Sequence, residues 1–89
     1  MKTIYLDASR IKDRLSMSMY MDEIFHFPSH FGNNLDALHD CLCEVKDDVT
    51  FVLSHDCIQN VISSKYAFKV LLILGKCADE NPYIHIRFI

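Results

Sequence analysis

Glycine and proline are scarce, two of each in 89 residues, which excludes a collagen-like or linker-rich chain. No apolar run reaches the ~18–20 residues that a membrane span needs. The opening Met1-Lys2-Thr3-Ile4-Tyr5-Leu6-Asp7 puts an acid where a secretory signal requires a longer apolar stretch. No signal peptide is read, and a cytoplasmic location is expected. A glycine-rich phosphate loop and a Cys-x-x-Cys pair are both missing. What is there is ordinary for a globular chain: 51 % hydrophobic and 24 % charged residues. The length falls just below the ~100–200 residues of a typical domain, so residues 1–89 are read as one. Cys41, Cys43, Cys57 and Cys77 lie in apolar or helical stretches and are expected to be reduced, acting mostly as small buried hydrophobes.

The net charge of −3 is unevenly placed. Residues 1–26 balance four bases against four acids, and residues 49–89 carry one excess base. Residues 27–48 hold Asp36, Asp40, Glu44, Asp47 and Asp48 against Lys46 alone. A nucleic-acid binder concentrates the opposite sign. Neither direct nucleic-acid binding nor a membrane is therefore expected, and the acidic stretch suits a basic partner.

Hydrophobic periodicity supplies the elements. Thr3–Leu6 is a short β-branched and aromatic run, read as a first strand. Met17, Tyr20, Met21, Ile24 and Phe25 share one helical face, with Ser16 as the expected N-cap and Pro28 as the stop. A second helix opens at Asn33 or Asn34 and buries Leu35, Leu38, Leu42 and Val45 before ending at Asp47-Asp48. Val49–Leu53 is apolar at nearly every position, which predicts a strand covered on both faces. Asp56 is the expected cap of a short helix over Cys57–Ile62, and Ser64 that of a longer one reaching Glu80. From Tyr66 to Leu74 that helix is apolar except at Lys69, so it is either buried in the monomer or covered by a second copy in a homodimer. Tyr83–Ile89 alternates as a third strand. The order is β-α-α-β-α-α-β, a three-stranded parallel sheet packed with helices in the α/β class.

The second helix carries the chemistry. Asp36 and Asp40 stand four residues apart, opposite the leucine stripe, and Glu44 extends their row. Like charges at that spacing cost a few tenths of a kcal/mol, about 0.2–0.5. Folding gains nothing from the row, whereas a cationic cleft would. A carboxylate only accepts hydrogen bonds and can take a bidentate arginine, so it can stand in for a phosphate. The rival reading, from another class, is a small thiol or metal protein, or an enzyme, using His39, Cys43, His55 and Cys57. Against it, Cys41 and Cys43 point to different sides of a helix, and no third group is apparent to orient a Cys–His pair. No cofactor and no resident metal are expected.

The run FPSHFGNNLDALHDCL, Phe27 to Leu42, resembles the signature of the barstar family of ribonuclease inhibitors. Pro28, Phe31, Gly32, Asn34, Leu35, Asp36, Ala37, Leu38, Asp40, Cys41 and Leu42 match the family pattern. The resemblance implies a non-enzymatic inhibitor of three parallel strands and packed helices. In that family the second helix and the loop before it plug the active site of a barnase-like ribonuclease. By position, Asp40 would enter the phosphate pocket and Asp36 would take a second ion pair. His30 would stack on the nuclease, Gly32 would let the backbone approach, and Asn34 would fix the helix entry. The departures are His39 where the family often has tryptophan, Cys43 and Val45 where polar or aromatic residues are usual, and Gly75-Lys76 near an expected acid. Asp79 or Glu80, one turn later, would serve as that acid. These differences point away from barnase itself and towards a related toxin ribonuclease, with the chain as its immunity protein or antitoxin.

Overall fold

The computed structural model describes residues 2–26 and 34–89. Strand β1 (Lys2–Tyr5) leads through a 3-10 turn (Ala8–Arg10) into helix α1 (Arg14–Phe25). Helix α2 (Leu35–Cys43), strand β2 (Val49–Leu53), helix α3 (His55–Ile62), helix α4 (Lys65–Glu80) and strand β3 (Ile84–Phe88) follow. The strands lie in the order β1-β2-β3, all parallel. Each neighbouring pair is joined by two helices, as parallel pairing demands. The α/β order read from the sequence is the one observed.

Helix boundaries follow the caps. Ser64 and Asn34 cap α4 and α2 as expected, their side chains accepting from Ala67 N and Ala37 N. Two other expectations move. Asp13, not Ser16, caps α1: its carboxylate accepts from Ser16 N at 2.8 Å, so the helix starts earlier. Ser54, not Asp56, caps α3, and Asp56 falls in the first turn, where the helix dipole favours an acid. Helix α1 ends at His26, which takes the left-handed conformation at φ 52°. Pro28, the expected stop, lies outside the described residues, as does Asn33.

Helix α2 ends sooner than expected, at Cys43 rather than near Asp47-Asp48. The chain tightens there, with Glu44 N donating to Cys41 O and Val45 N to Leu42 O, each at 3.2 Å. Buried Asn81, at the end of α4, holds this turn. Its Nδ2 donates to Leu42 O and Val45 O at 2.9 Å each, and its Oδ1 accepts from Tyr83 N at 2.9 Å. Two carbonyls on one side and an N–H on the other fix the orientation of the carboxamide. One side chain thus ties the end of α2 to the α4–β3 junction.

The core gathers on one face of the sheet. Ile4, Phe51 and Ile86 share a register position there, with Phe51 fully buried. Met17 and Met21 from α1, Leu38 and Leu42 from α2, Val61 from α3, and Ala67, Val70 and Leu74 from α4 fill it. No described helix packs on the opposite face, which corrects the expectation that β2 is covered on both sides. Thr3, Tyr5, Thr50, Val52, His85 and Arg87 line a shallow concavity there, and Tyr5 is 72 % exposed. Val52 is buried all the same, flanked in register by the long side chains of Tyr5 and Arg87. Helix α4 divides between the two readings offered for it: its inner face is buried, whereas Phe68 and Leu72 stay exposed. No single helix among the described residues is long and apolar enough to cross a membrane.

Replacing Asn81 by alanine strands two carbonyls and an amide around a buried position. Asn81→Ala should cost about 2–3 kcal/mol, measured by urea denaturation as a lower midpoint at constant slope. A loss below about 0.5 kcal/mol would mean that the bracket contributes no more than an ordinary surface residue.

Candidate functional site

The two faces of α2 have opposite fates. Leu38 and Leu42 are fully buried, and Leu35 is half-buried against the same core. Burying leucine side chains is worth roughly 1.5–3 kcal/mol each, well above the repulsion within the acidic row. That row therefore faces solvent because the leucines must face the core. Asp36 sits in the first turn, where the unpaired helix N–H groups favour it. Asp40 is one turn on, with its side chain 83 % exposed. Glu44 is the exposed C-cap of the helix rather than part of its body.

His39 organises the edge of this face. Its ring is mostly covered, with 22 % of the side chain exposed. Nδ1 lies 3.7 Å from Asp40 Oδ1 and Nε2 lies 3.3 Å from Glu80 Oε1. The imidazole thus stands between an acid of α2 and an acid of α4. Glu80, rather than Asp79, is the α4 carboxylate in contact with α2. The thiol of Cys43 completes the corner, 3.6 Å from His39 Nε2 and donating to Glu80 Oε2 at 3.9 Å.

Asp36, His39, Asp40, Cys43, Glu44 and Glu80 fall along the α2 surface and the adjoining end of α4, with Asn34 capping the helix that displays them. His30 and Gly32 lie outside the described residues. The rival set is split. His39 and Cys43 adjoin, but the His55 imidazole engages Gln59 of its own helix at 3.1 Å, and Cys57 is buried beside the 3-10 turn in the lining of a separate depression. His55 and Cys57 are not part of the His39–Cys43 cluster.

Two residues that the sequence reading passed over belong here. Asn81, which brackets the end of α2, is one of them. Cys77 is three residues before Glu80, so it shares that face of α4, and its thiol donates to His39 O at 3.8 Å. All four cysteines are free. Burial, followed by the neighbouring Cys43, pushes the Cys77 thiol up from 9.0 to about 12. Burial also raises Cys41, with Glu44 and Asp40 adding to it. Both shifts favour the neutral thiol.

The chain matches the family model described as Barstar (barnase inhibitor) over residues 1–80. It is also similar to a Bacillus subtilis (strain 168) protein named "Putative ribonuclease inhibitor YrdF". The two are 30 % identical over 81 residues, which cover 90 % of this chain and 89 % of the relative.

A thiol whose pKa rises on folding favours the native state most while the unfolded thiol is still protonated. The Cys77 contribution is therefore complete below pH 9 and lost as the pH climbs towards about 12. Over that window unfolding free energy should fall by about 1 kcal/mol per pH unit from this group. Urea titrations at stepped pH should show a shallower alkaline decline in Cys77→Ala than in wild type. Parallel declines would contradict the assignment.

Proposed function

Since the chain belongs to the barstar family, we propose that it inhibits a barnase-like ribonuclease by filling the active site with the acidic face of α2. The observation that carries this reading is the exposure of Asp40 on a helix whose other face is locked into the core. Such a carboxylate is held at a fixed height and angle, so little order is lost on docking. In a basic cleft built for phosphate it accepts the hydrogen bonds that a phosphodiester would take. Asp36 supplies a second charge one turn earlier, and Glu80 a third from α4. Glu44 lies at the rim, and His39 and Cys43 lie between the acids as contact surface. Inhibition works by occlusion, without catalysis.

The setting that fits such an inhibitor is toxin immunity in a bacterial cytoplasm, where it neutralises a ribonuclease made by the same cell or delivered by a neighbour. The departures at His39, Cys43 and Val45 favour a nuclease distinct from barnase. A large fraction of the contact would be electrostatic, so the row of acids would also speed encounter with a basic partner.

Purified protein should be titrated against candidate ribonucleases, beginning with any encoded beside its gene. Asp40→Ala should weaken binding by about 2–5 kcal/mol while leaving the melting temperature nearly unchanged. Full inhibition by that variant would remove Asp40 from the mechanism. Asp36→Ala should act more mildly, chiefly on the association rate. The wild-type association rate should fall steeply as salt is raised from low to physiological strength. A rate indifferent to salt would show that the acidic row steers nothing.

A further inference from the structure

Helix α2 directs two metal-competent side chains, and α4 one, at a common spot, with Glu80 of α4 beside it. His39 and Cys43 are four residues apart on α2, and Cys77 and Glu80 are three apart on α4, so each pair shares a face of its helix. One ligand atom each from His39, Cys43 and Cys77 falls within 4.8 Å of the others. Glu80 borders the group, with one oxygen, Oε1, 3.3 Å from His39 Nε2 and the other, Oε2, 3.9 Å from Cys43 Sγ.

These separations are close to the edges of a coordination tetrahedron. With Zn–N near 2.0–2.1 Å and Zn–S near 2.3 Å, adjacent nitrogen and sulfur ligands stand about 3.6 Å apart, and nitrogen and oxygen ligands about 3.3 Å. The His39–Cys43 and His39–Glu80 distances are 3.6 and 3.3 Å. The Cys43–Glu80 contact runs to the other carboxylate oxygen, so Glu80 must rotate to bring a single oxygen into the group. Two sulfurs and an imidazole select a borderline-soft ion over magnesium or calcium. With Glu80 turned in as the fourth ligand no position is left open for substrate, as in a structural rather than a catalytic centre.

We propose that His39, Cys43 and Cys77, joined by Glu80 once its side chain turns inward, form a tetrahedral site for Zn²⁺ or a similar thiophilic divalent cation, fastening α2 to α4. Asp40 has a place in the same arrangement. Its Oδ1 lies 3.7 Å from Nδ1 of His39, on the side where a metal-bound imidazole presents its remaining N–H to a carboxylate. Loading would therefore occupy Glu80 and draw on Asp40, two acids of the inhibitory face. The site does not depend on the ribonuclease reading, because metal binding is read on the free chain.

Cobalt(II) substitutes for zinc and reports its own geometry. Titrated into reduced protein with a non-thiol reductant present, it should saturate at one equivalent. It should give the intense visible bands of a tetrahedral centre together with thiolate-to-metal charge transfer, and zinc should bleach both. The melting temperature should rise with added zinc, since the ion binds the folded chain. Cys43→Ala, at an exposed position, should fold normally and lower cobalt affinity at least tenfold. His39→Ala should do the same. Cys77→Ser should remove about half of the charge-transfer intensity; if it fails to fold, the two α2 variants still decide the matter. The weak bands of a six-coordinate ion, no uptake by wild type, or unchanged affinity in Cys43→Ala would each overturn the proposal.

Discussion

The carboxamide of Asn81 joins the last turn of α2 to a distant part of the chain, the junction between the end of α4 and the entry to β3. Beside it, Leu38 and Leu42 are wholly withdrawn from water. Together these contacts oppose any rolling of α2. A helix free to rotate would spread its acids over many directions and pay for ordering them on contact. Clamped in this way, α2 holds Asp36 and Asp40 outward as a consequence of what lies beneath them. The function proposed for the chain depends on that rigidity more than on the number of its charges.

The second consequence of the clamp is the meeting of α2 with α4. Glu80 reaches His39, and Cys77 reaches the backbone of the same histidine. The resulting corner contains Asp40 and Glu80, two acids of the proposed inhibitory face, and both thiols of the proposed metal site. A cation there and a ribonuclease over the same edge would compete for Glu80 and Asp40. Metal supply could in that way tune how much carboxylate the chain offers its target, while the leucine face and the Asn81 bracket stay untouched.

Much of this was readable from sequence, for physical reasons that can be named. Local patterns with a strong period survived: the Leu35/Leu38/Leu42 stripe, the apolar β2 run, and the caps Asn34 and Ser64. The parallel arrangement followed from the helical stretches between strands. Signals that compete locally were less reliable. Asp13 and Ser16 both suit a helix start, and only the extended backbone at Asp13 decides between them. The apolar run of β2 failed to reveal the sheet face on which no described helix packs, because Val52 is shielded by neighbours on other strands rather than by a helix. Of the site, the acids of α2 were legible because they share one helix. The contribution of Cys77 and the bracket of Asn81 were not, because contacts between separate helices leave no spacing to find. The pairing of His39 and Cys43 with His55 and Cys57 failed for the same reason, since nearness in sequence did not carry α2 side chains to α3.

The account stands on one physical claim, that Asp40 occupies the position of a phosphate in the active site of a ribonuclease. The most direct test is competition between this protein and a mononucleotide ligand of that active site, followed at equilibrium on the purified nuclease. The account predicts mutually exclusive binding, with the apparent affinity of the inhibitor falling in proportion to the nucleotide added. A ternary complex, with nucleotide and inhibitor bound together at undiminished affinity, would contradict it.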